Sequence, residues 1–266
     1  MLNICKWILK RLAGLLGYEL RLQKTFDLAD DPVAIIRLLS DCDEISVIVD
    51  GGASIGDTSE RFACMFPKAK VYAFEPFPKF LKVLREKALT NSRIRVFPFA
   101  LGKIEGERIL RVNESDGTNS LFAASQTGKE LYPELLEQKG EIKVSITNLD
   151  EWAEDQKIDQ IDILKLDLQG GELAALQGVS KNLKERRIKF LIVEISFLHQ
   201  YENQPIASDI LKFLECQGYD LFNLYQCLYH NGQIIQADAI FVERTTLAKL
   251  RFSHRAVFHH RSRVPL

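Results

Sequence analysis

Acids set beside glycines mark where this chain could do chemistry. Asp50 directly precedes Gly51 and Gly52; Ser54 and Gly56 follow, and Asp57 opens the next segment. Glycines at this density allow a tight turn whose backbone a ligand can approach closely. Glu75 lies 19 residues beyond Gly56, near the distance at which an acid closing a second strand accepts hydrogen bonds from ribose hydroxyls. Its neighbours in "AFEPFP" are apolar residues and prolines, which would hold the acid in a fixed pose. A nucleoside-containing ligand is therefore expected. The turn does not suit phosphates: Gly52, Ser54 and Gly56 give G-x-S-x-G rather than G-x-G-x-x-G, and no G-K-[ST] occurs. Asp57 would also repel a pyrophosphate placed on a helix N-terminus, and Asp50 points the same way. An acid-rimmed turn suits a cationic ligand without phosphates. S-adenosylmethionine, with its ammonium and sulfonium groups, is the cofactor this pattern predicts.

The elements that must position these residues follow from periodicity. Residues 46–49 read as a strand buried on both faces, and residues 58–66 as the helix that the turn feeds. Further strands are expected at 69–75, 94–100, 161–168 and 188–196, with helices at 32–39, 78–89, 172–176 and 206–217 around them. Pro78 sits at a helix start and Gly218 at a helix stop. "YDLFNLY" and "DAIFVER" close the pattern as two strands joined too tightly for a helical crossover, so one strand should run antiparallel. The alternation predicts an α/β, Rossmann-like fold: a mostly parallel sheet with helices on both faces. Residues 102–149 break the rhythm. There "GERILRVNES" and "EIKVSITNL" read as strands around a short helix at 130–138, an antiparallel excursion suited to a lid or pocket wall.

Composition narrows the classes. The 266 residues are 46% hydrophobic and 27% charged, with a net charge of -1, which argues against a general nucleic-acid binder. Residues 1–24 hold five Lys/Arg against Glu19, and residues 245–266 hold five Lys/Arg and no acid. These basic ends suit a peripheral membrane contact, an acidic partner or the acidic body of the chain itself. Residues 1–40 are expected as an N-terminal helical extension, 41–244 as the main domain and 245–266 as a basic tail, helical from Lys249. The opening "MLNICKWILKRLAGLLGYELRL" is cut by Lys6, Lys10 and Arg11, too often for a membrane span or a signal peptide. Five scattered cysteines without a C-x-x-C pair fit a reducing, cytoplasmic compartment. Acids and histidines, His259 and His260 included, fall into no ligand spacing, so no metal is expected.

Several longer segments carry a resemblance. "VIVDGGASIGDTS", "VYAFEP", "FALGKIEG", "TNSL", "ITNLDEW", "ILKLDLQGGELAALQG", "VEISF" with "YENQP", and "ADAIFVER" together resemble the FkbM-type family of S-adenosylmethionine-dependent methyltransferases. The resemblance implies a class I methyltransferase fold with a seven-stranded sheet whose last strand is antiparallel. It also implies methylation of oxygen, often on a sugar or polyketide hydroxyl. Two positions depart from the family pattern: Gln169 stands where Glu is frequent, and Gly171 where Ala is. The first removes a charge beside the donor.

Methyl transfer to an unactivated hydroxyl benefits from alignment, exclusion of water and a base for the hydroxyl proton. Asp167, ending the fourth strand, is the leading candidate; its other reading is an acid capping "QGGEL". His199, after the fifth strand, titrates in a suitable range, although loop histidines are often merely solvated. Glu194 is placed either to orient substrate or to pair with Lys165. The reading is thus an O-methyltransferase acting on a sugar, glycan or glycosylated metabolite. A nucleoside-cofactor binder without methyltransferase activity, or a nicotinamide enzyme, is the alternative.

Overall fold

The computed structural model describes residues 31–40 and 42–253. The expected helix before residue 31 and the basic segment after Ser253 lie outside the described residues. Among the described residues no helix is long and apolar enough to cross a membrane.

The apolar runs form the central strands. β1 (Val47–Gly51), β7 (Ile161–Leu166) and β8 (Ile188–Ser196) lie side by side, with Ile48 opposite Ile163 and Leu164 opposite Leu191. Neighbouring residues point to opposite faces, as a strand's period of two requires. Val49 and Leu164 join one core, with Trp152, Leu176 and Leu214. Ile48 and Ile163 join the other, with Phe62, Phe66 and Ile240. Both faces are dry, which is why these strands read as continuous hydrophobic runs.

β2 (Lys70–Phe74) and β3 (Ile94–Phe97) extend the sheet on one side; β9 (Tyr219–His230) and β10 (Gln233–Glu243) extend it on the other. The order is β3-β2-β1-β7-β8-β10-β9, with β10 antiparallel to both neighbours and the remaining pairs parallel. α1 (Pro32–Leu39) and α2 (Asp57–Met65) send Ile36 and Phe62 into one core. α5 (Leu149–Asp155), α6 (Glu172–Gln177), α7 (Ser180–Lys184) and α8 (Ala207–Cys216) cover the other through Trp152, Leu176, Leu183 and Leu214. α3 (Pro78–Thr90) follows β2, and α9 (Arg244–Ser253) follows β10. The chain winds outward from β1 to β3 and returns on β1's other side as β7. That reversal opens a crevice at the carboxyl ends of β1 and β7, the usual place for a ligand in such sheets.

The region after β3 forms a second, three-stranded sheet. β4 (Ala100–Leu101) pairs parallel with β6 (Gln138–Thr147), and β6 pairs antiparallel with β5 (Gly106–Asn113). The single strand expected at 94–100 is broken. Pro98 lacks a backbone N–H, and Ala100 and Leu101 join the second sheet. The helix expected at 130–138 is instead α4 (Gln126–Leu131). Ser125 caps it, its Oγ accepting from Gly128 N–H at 2.9 Å, and Pro133 lies just past its end. The last two strands run longer than expected, to a two-residue hairpin at Asn231 (φ 49°) and Gly232 (φ 82°). Asn-Gly with both φ positive fits the right-handed twist of the flanking strands.

"LDEW" acts as a clasp. Asn148 Oδ1 accepts from Asp150 and Glu151 N–H at the start of α5. Asp150 then accepts from Lys181 N–H (2.8 Å), Asn182 N–H (3.0 Å) and Asn182 Nδ2 (2.6 Å), tying α5 to α7. Asp150→Ala is expected to lower unfolding stability by about 1–3 kcal/mol, read by urea denaturation, with cofactor affinity unchanged.

Candidate active site

The glycine turn is shaped by what it passes. After β1, Gly52 and Ala53 N–H both donate to the Phe74 carbonyl, at 3.0 and 2.9 Å, which folds the turn under the end of β2. Gly52 has φ +71°, and a Cβ there would sit 1.8 Å from the Asp167 carbonyl oxygen. Ser54, also at positive φ (51°), turns its N–H to Glu75 Oε2 at 2.8 Å. The other Glu75 oxygen accepts from Phe77 N–H at 2.8 Å. Glu75 is 6% exposed. Burial pushes its pKa up to about 6, against the pull of those two N–H bonds.

Gly52, Ser54, Glu75 and Asp167 share the wall of a cavity of about 280 Å³, with Phe77, Phe80 and Phe99 among its apolar lining. Leu110, Asp116, Asn119 and Leu121 line it from the second sheet and the loop after β5. Asp50, Gly51 and Gly56 stand behind this wall and do not line it. Asp50 is fully buried: Oδ2 accepts from Ser59 Oγ at 2.6 Å and Oδ1 lies 3.6 Å from Lys165 Nζ. Gly51 ends β1, where a Cβ would press on Leu101 and Leu166. Gly56 caps α2 at φ +88°, close against Leu84.

Asp167 follows β7, with its side chain 37% exposed. Lys165 Nζ lies 3.3 Å from its Oδ2, and Gln169 Nε2 donates to its Oδ1 at 3.0 Å. Lys165 is almost wholly buried and also donates to the Gly52 carbonyl at 3.1 Å. Burial opposes its charge, but Asp167 and Asp50 outweigh that and hold its pKa above the ordinary lysine value. Lys165 therefore pairs with Asp50 and Asp167, whereas Glu194 takes other partners. Gln169 Nε2 donates to Glu194 at 3.1 Å, and Gln236 Nε2 donates to its second oxygen. Burial first, then Asp167 and Glu172, raises the Glu194 pKa well above the usual carboxylate value. Glu172 accepts from Leu168 N–H (2.7 Å) and Gly170 N–H (3.3 Å), shaping the turn beyond Asp167. Burial pushes its pKa up to about 7.

Glu194 and His199 do not line the cavity. Glu194 touches it only through Gln169, which does. The His199 side chain belongs to an exposed residue whose Nδ1 sits 2.8 Å from the Gln204 carbonyl. "YENQP" braces this loop: Gln204 Oε1 accepts from Gln200 and Tyr201 N–H. The Tyr201 hydroxyl lies 2.9 Å from Gln169 Oε1 and 3.0 Å from the Thr118 carbonyl. Sequence spacing did not reveal this knot of Gln169, Tyr201, Gln236 and Ser120, whose Oγ donates to the Gln169 carbonyl at 2.6 Å. Its visible signals are that "TNSL" and "YENQP" resemble the family pattern and that Gln169 departs from it.

The residues fit S-adenosylmethionine. Gly52 leaves room for close approach, Glu75 offers a buried carboxylate to ribose hydroxyls, and the phenylalanines offer apolar faces to a purine. Asp57, at the start of α2, is ion-paired with Lys87 and does not line the cavity, so the repulsion expected of it toward a pyrophosphate is offset.

A doubly wound seven-stranded sheet with one reversed strand, a glycine turn after β1 and a buried acid after β2 make up a Rossmann-like methyltransferase fold. Residues 50–221 match the family described as "Methyltransferase FkbM domain", and the chain belongs to that family. It is an S-adenosylmethionine-dependent methyltransferase. It is similar to "2-O-methyltransferase NoeI" of Sinorhizobium fredii, 29% identical over 185 residues, covering 68% of this chain and 74% of that protein. "Methyltransferase sdnD" of Sordaria araneosa is 30% identical over 197 residues, 65% of this chain and 73% of that one. "Hexuronic acid methyltransferase AglP" of Haloferax volcanii is 28% identical over 170 residues, 64% of each chain.

Glu75 carries a prediction. Glu75→Ala removes hydrogen bonds to a charged acceptor, each worth about 1.5–3 kcal/mol. The S-adenosylmethionine dissociation constant is expected to rise at least tenfold by calorimetry. In the wild type, affinity should weaken as pH falls through about 6, where the carboxylate takes up a proton. The variant should lose that dependence. A variant that binds as the wild type does would move the ribose elsewhere.

Proposed function

We propose that the protein transfers a methyl group to a hydroxyl oxygen of a sugar or sugar-bearing small molecule, with Asp167 taking the hydroxyl proton. The observation that carries this is the position of Asp167. Among Asp167, Glu194 and His199, it alone lines the cavity, and its side chain is also open to solvent. Bound S-adenosylmethionine supplies the methyl on a positively charged sulfur. The chain's own residues do the rest. Gly52 and Ser54 bring backbone to the ligand, Glu75 fixes its ribose, and the Phe77 side of the cavity excludes water. Lys165 and Gln169 each engage one oxygen of Asp167, so its carboxylate is held in one pose. A base so fixed removes the proton as the oxygen–methyl bond forms.

The relatives' names, a 2-O-methyltransferase and a hexuronic acid methyltransferase, support a sugar acceptor. Residues 102–149 are proposed to set acceptor choice, because Leu110, Asp116, Asn119 and Leu121 from that segment line the cavity. Residues 41–244 are taken as the catalytic domain. Isotope-labelled S-adenosylmethionine offered with a panel of sugars and glycosides tests the reading, with the product read by NMR. An O-methyl resonance on a sugar carbon is expected. A methyl found on nitrogen or carbon would replace the reading.

A further inference from the structure

The charge around Asp167 is lopsided. The described residues lining the cavity include Glu75, Asp116 and Asp167 and no Lys, Arg or His. Behind them stand Glu194, Glu172 and Asp238, the last paired across β8 and β10 with Glu194. Burial, then the charge of Asp167, pushes Asp238 up to about 6, so these acids act on one another. The basic group that counters them is Lys165, and it is already committed: it touches Asp50, Asp167 and the carbonyls of Gly51 and Gly52. Two described cations stand beside the cavity wall, each already engaged there. Lys79 is ion-paired with Asp116, and Arg111 Nη1 donates to the Leu121 carbonyl at 2.9 Å.

From this we infer that the acceptor carries no negative charge near the reacting hydroxyl: it is a neutral or amino-bearing sugar, not a uronate or a sugar phosphate. The inference rests on the sugar reading above. An anionic group brought to Asp167 would meet like charge in a partly dry site, where the described cations Lys165, Lys79 and Arg111 already have partners. A neutral hydroxyl meets no such penalty, and an ammonium gains from the same field.

The test uses matched sets of hexoses in neutral, 2-amino, uronic acid and 6-phosphate form, with the full chain and saturating S-adenosylmethionine. The readout is the ratio of kcat/KM values within each set. That ratio is insensitive to the fraction of active enzyme, so a poorly folding variant does not distort it. Neutral and amino forms are expected to exceed the uronate and phosphate at least tenfold at low salt, and the gap should narrow as salt screens the site. Asp238→Asn should raise the uronate-to-neutral ratio several-fold. A uronate or phosphate methylated as well as its neutral partner would overturn the inference while leaving the sugar reading intact. So would an unchanged ratio in Asp238→Asn. Transfer to no member of any set, with cofactor binding shown by calorimetry, would remove the sugar reading and this inference with it.

Discussion

Asp167→Asn is expected to lower kcat by roughly two to four orders of magnitude, the range for loss of a general base, while S-adenosylmethionine affinity changes little. The substitution keeps the side chain's size and one acceptor oxygen, so of the Lys165 and Gln169 contacts, 3.3 and 3.0 Å from the two carboxylate oxygens, one survives. What it removes is the pair of electrons that would take the acceptor's proton. His199→Gln is expected to leave turnover near normal, since that side chain is held to the Gln204 carbonyl and stands off the cavity wall. A second readout separates a lost base from a disturbed pocket. Turnover by Asp167→Asn should climb with pH as the acceptor ionises without help, whereas a merely misshapen site would stay slow at every pH. Near-normal turnover by Asp167→Asn would leave alignment alone as the source of rate.

The parts of this protein legible in its sequence are those fixed over short distances. β1, the glycine turn and Glu75 belong to one strand–helix–strand unit, so spacing along the chain reports spacing in space. Gly52, Ser54 and Glu75 accordingly meet on one wall. Strands buried on both faces, such as Ile188–Ser196, are legible for a related reason: their apolar runs have no polar face to confuse the period. The knot beside Asp167 is different. Gln169, Glu194, Tyr201 and Gln236 come from four segments; Gln169 and Glu194 stand out singly in the sequence, but Tyr201 and Gln236 are ordinary polar residues until the sheet brings the four together. Spacing carries no trace of that. The helix Gln126–Leu131 was hidden by Gly128, which reads as a breaker. In the fold it is a close approach, since a Cβ there would come within 2.1 Å of the Gln200 carbonyl. The Asn231–Gly232 turn, by contrast, is a plain hairpin signal that a shorter reading of the last strands passes over.

Gly52→Ala is expected to raise the S-adenosylmethionine dissociation constant by more than a hundredfold while the sheet still folds. Two costs act at one atom. An alanine at φ +71° occupies the left-handed region at about 1–2 kcal/mol. Its Cβ would also lie 1.8 Å from the Asp167 carbonyl oxygen, a backbone atom that cannot swing aside. Relief requires the turn after β1 and the exit of β7 to separate. Those are the two segments that carry Ser54 and Asp167 to the same cavity. The damage therefore falls on the site more than on the core. Gly56→Ala is the comparison. It shares a positive φ, +88°, but its Cβ would meet Leu84 Cδ1 at 2.6 Å, the end of a side chain that can yield. Its binding loss should be smaller, with a modest fall in Tm from the left-handed alanine. Calorimetry and thermal melts on both variants give the answer. Equal affinity losses in the two would show that backbone strain alone matters. Unchanged affinity in Gly52→Ala would mean that the cofactor does not depend on the approach of this turn to Asp167.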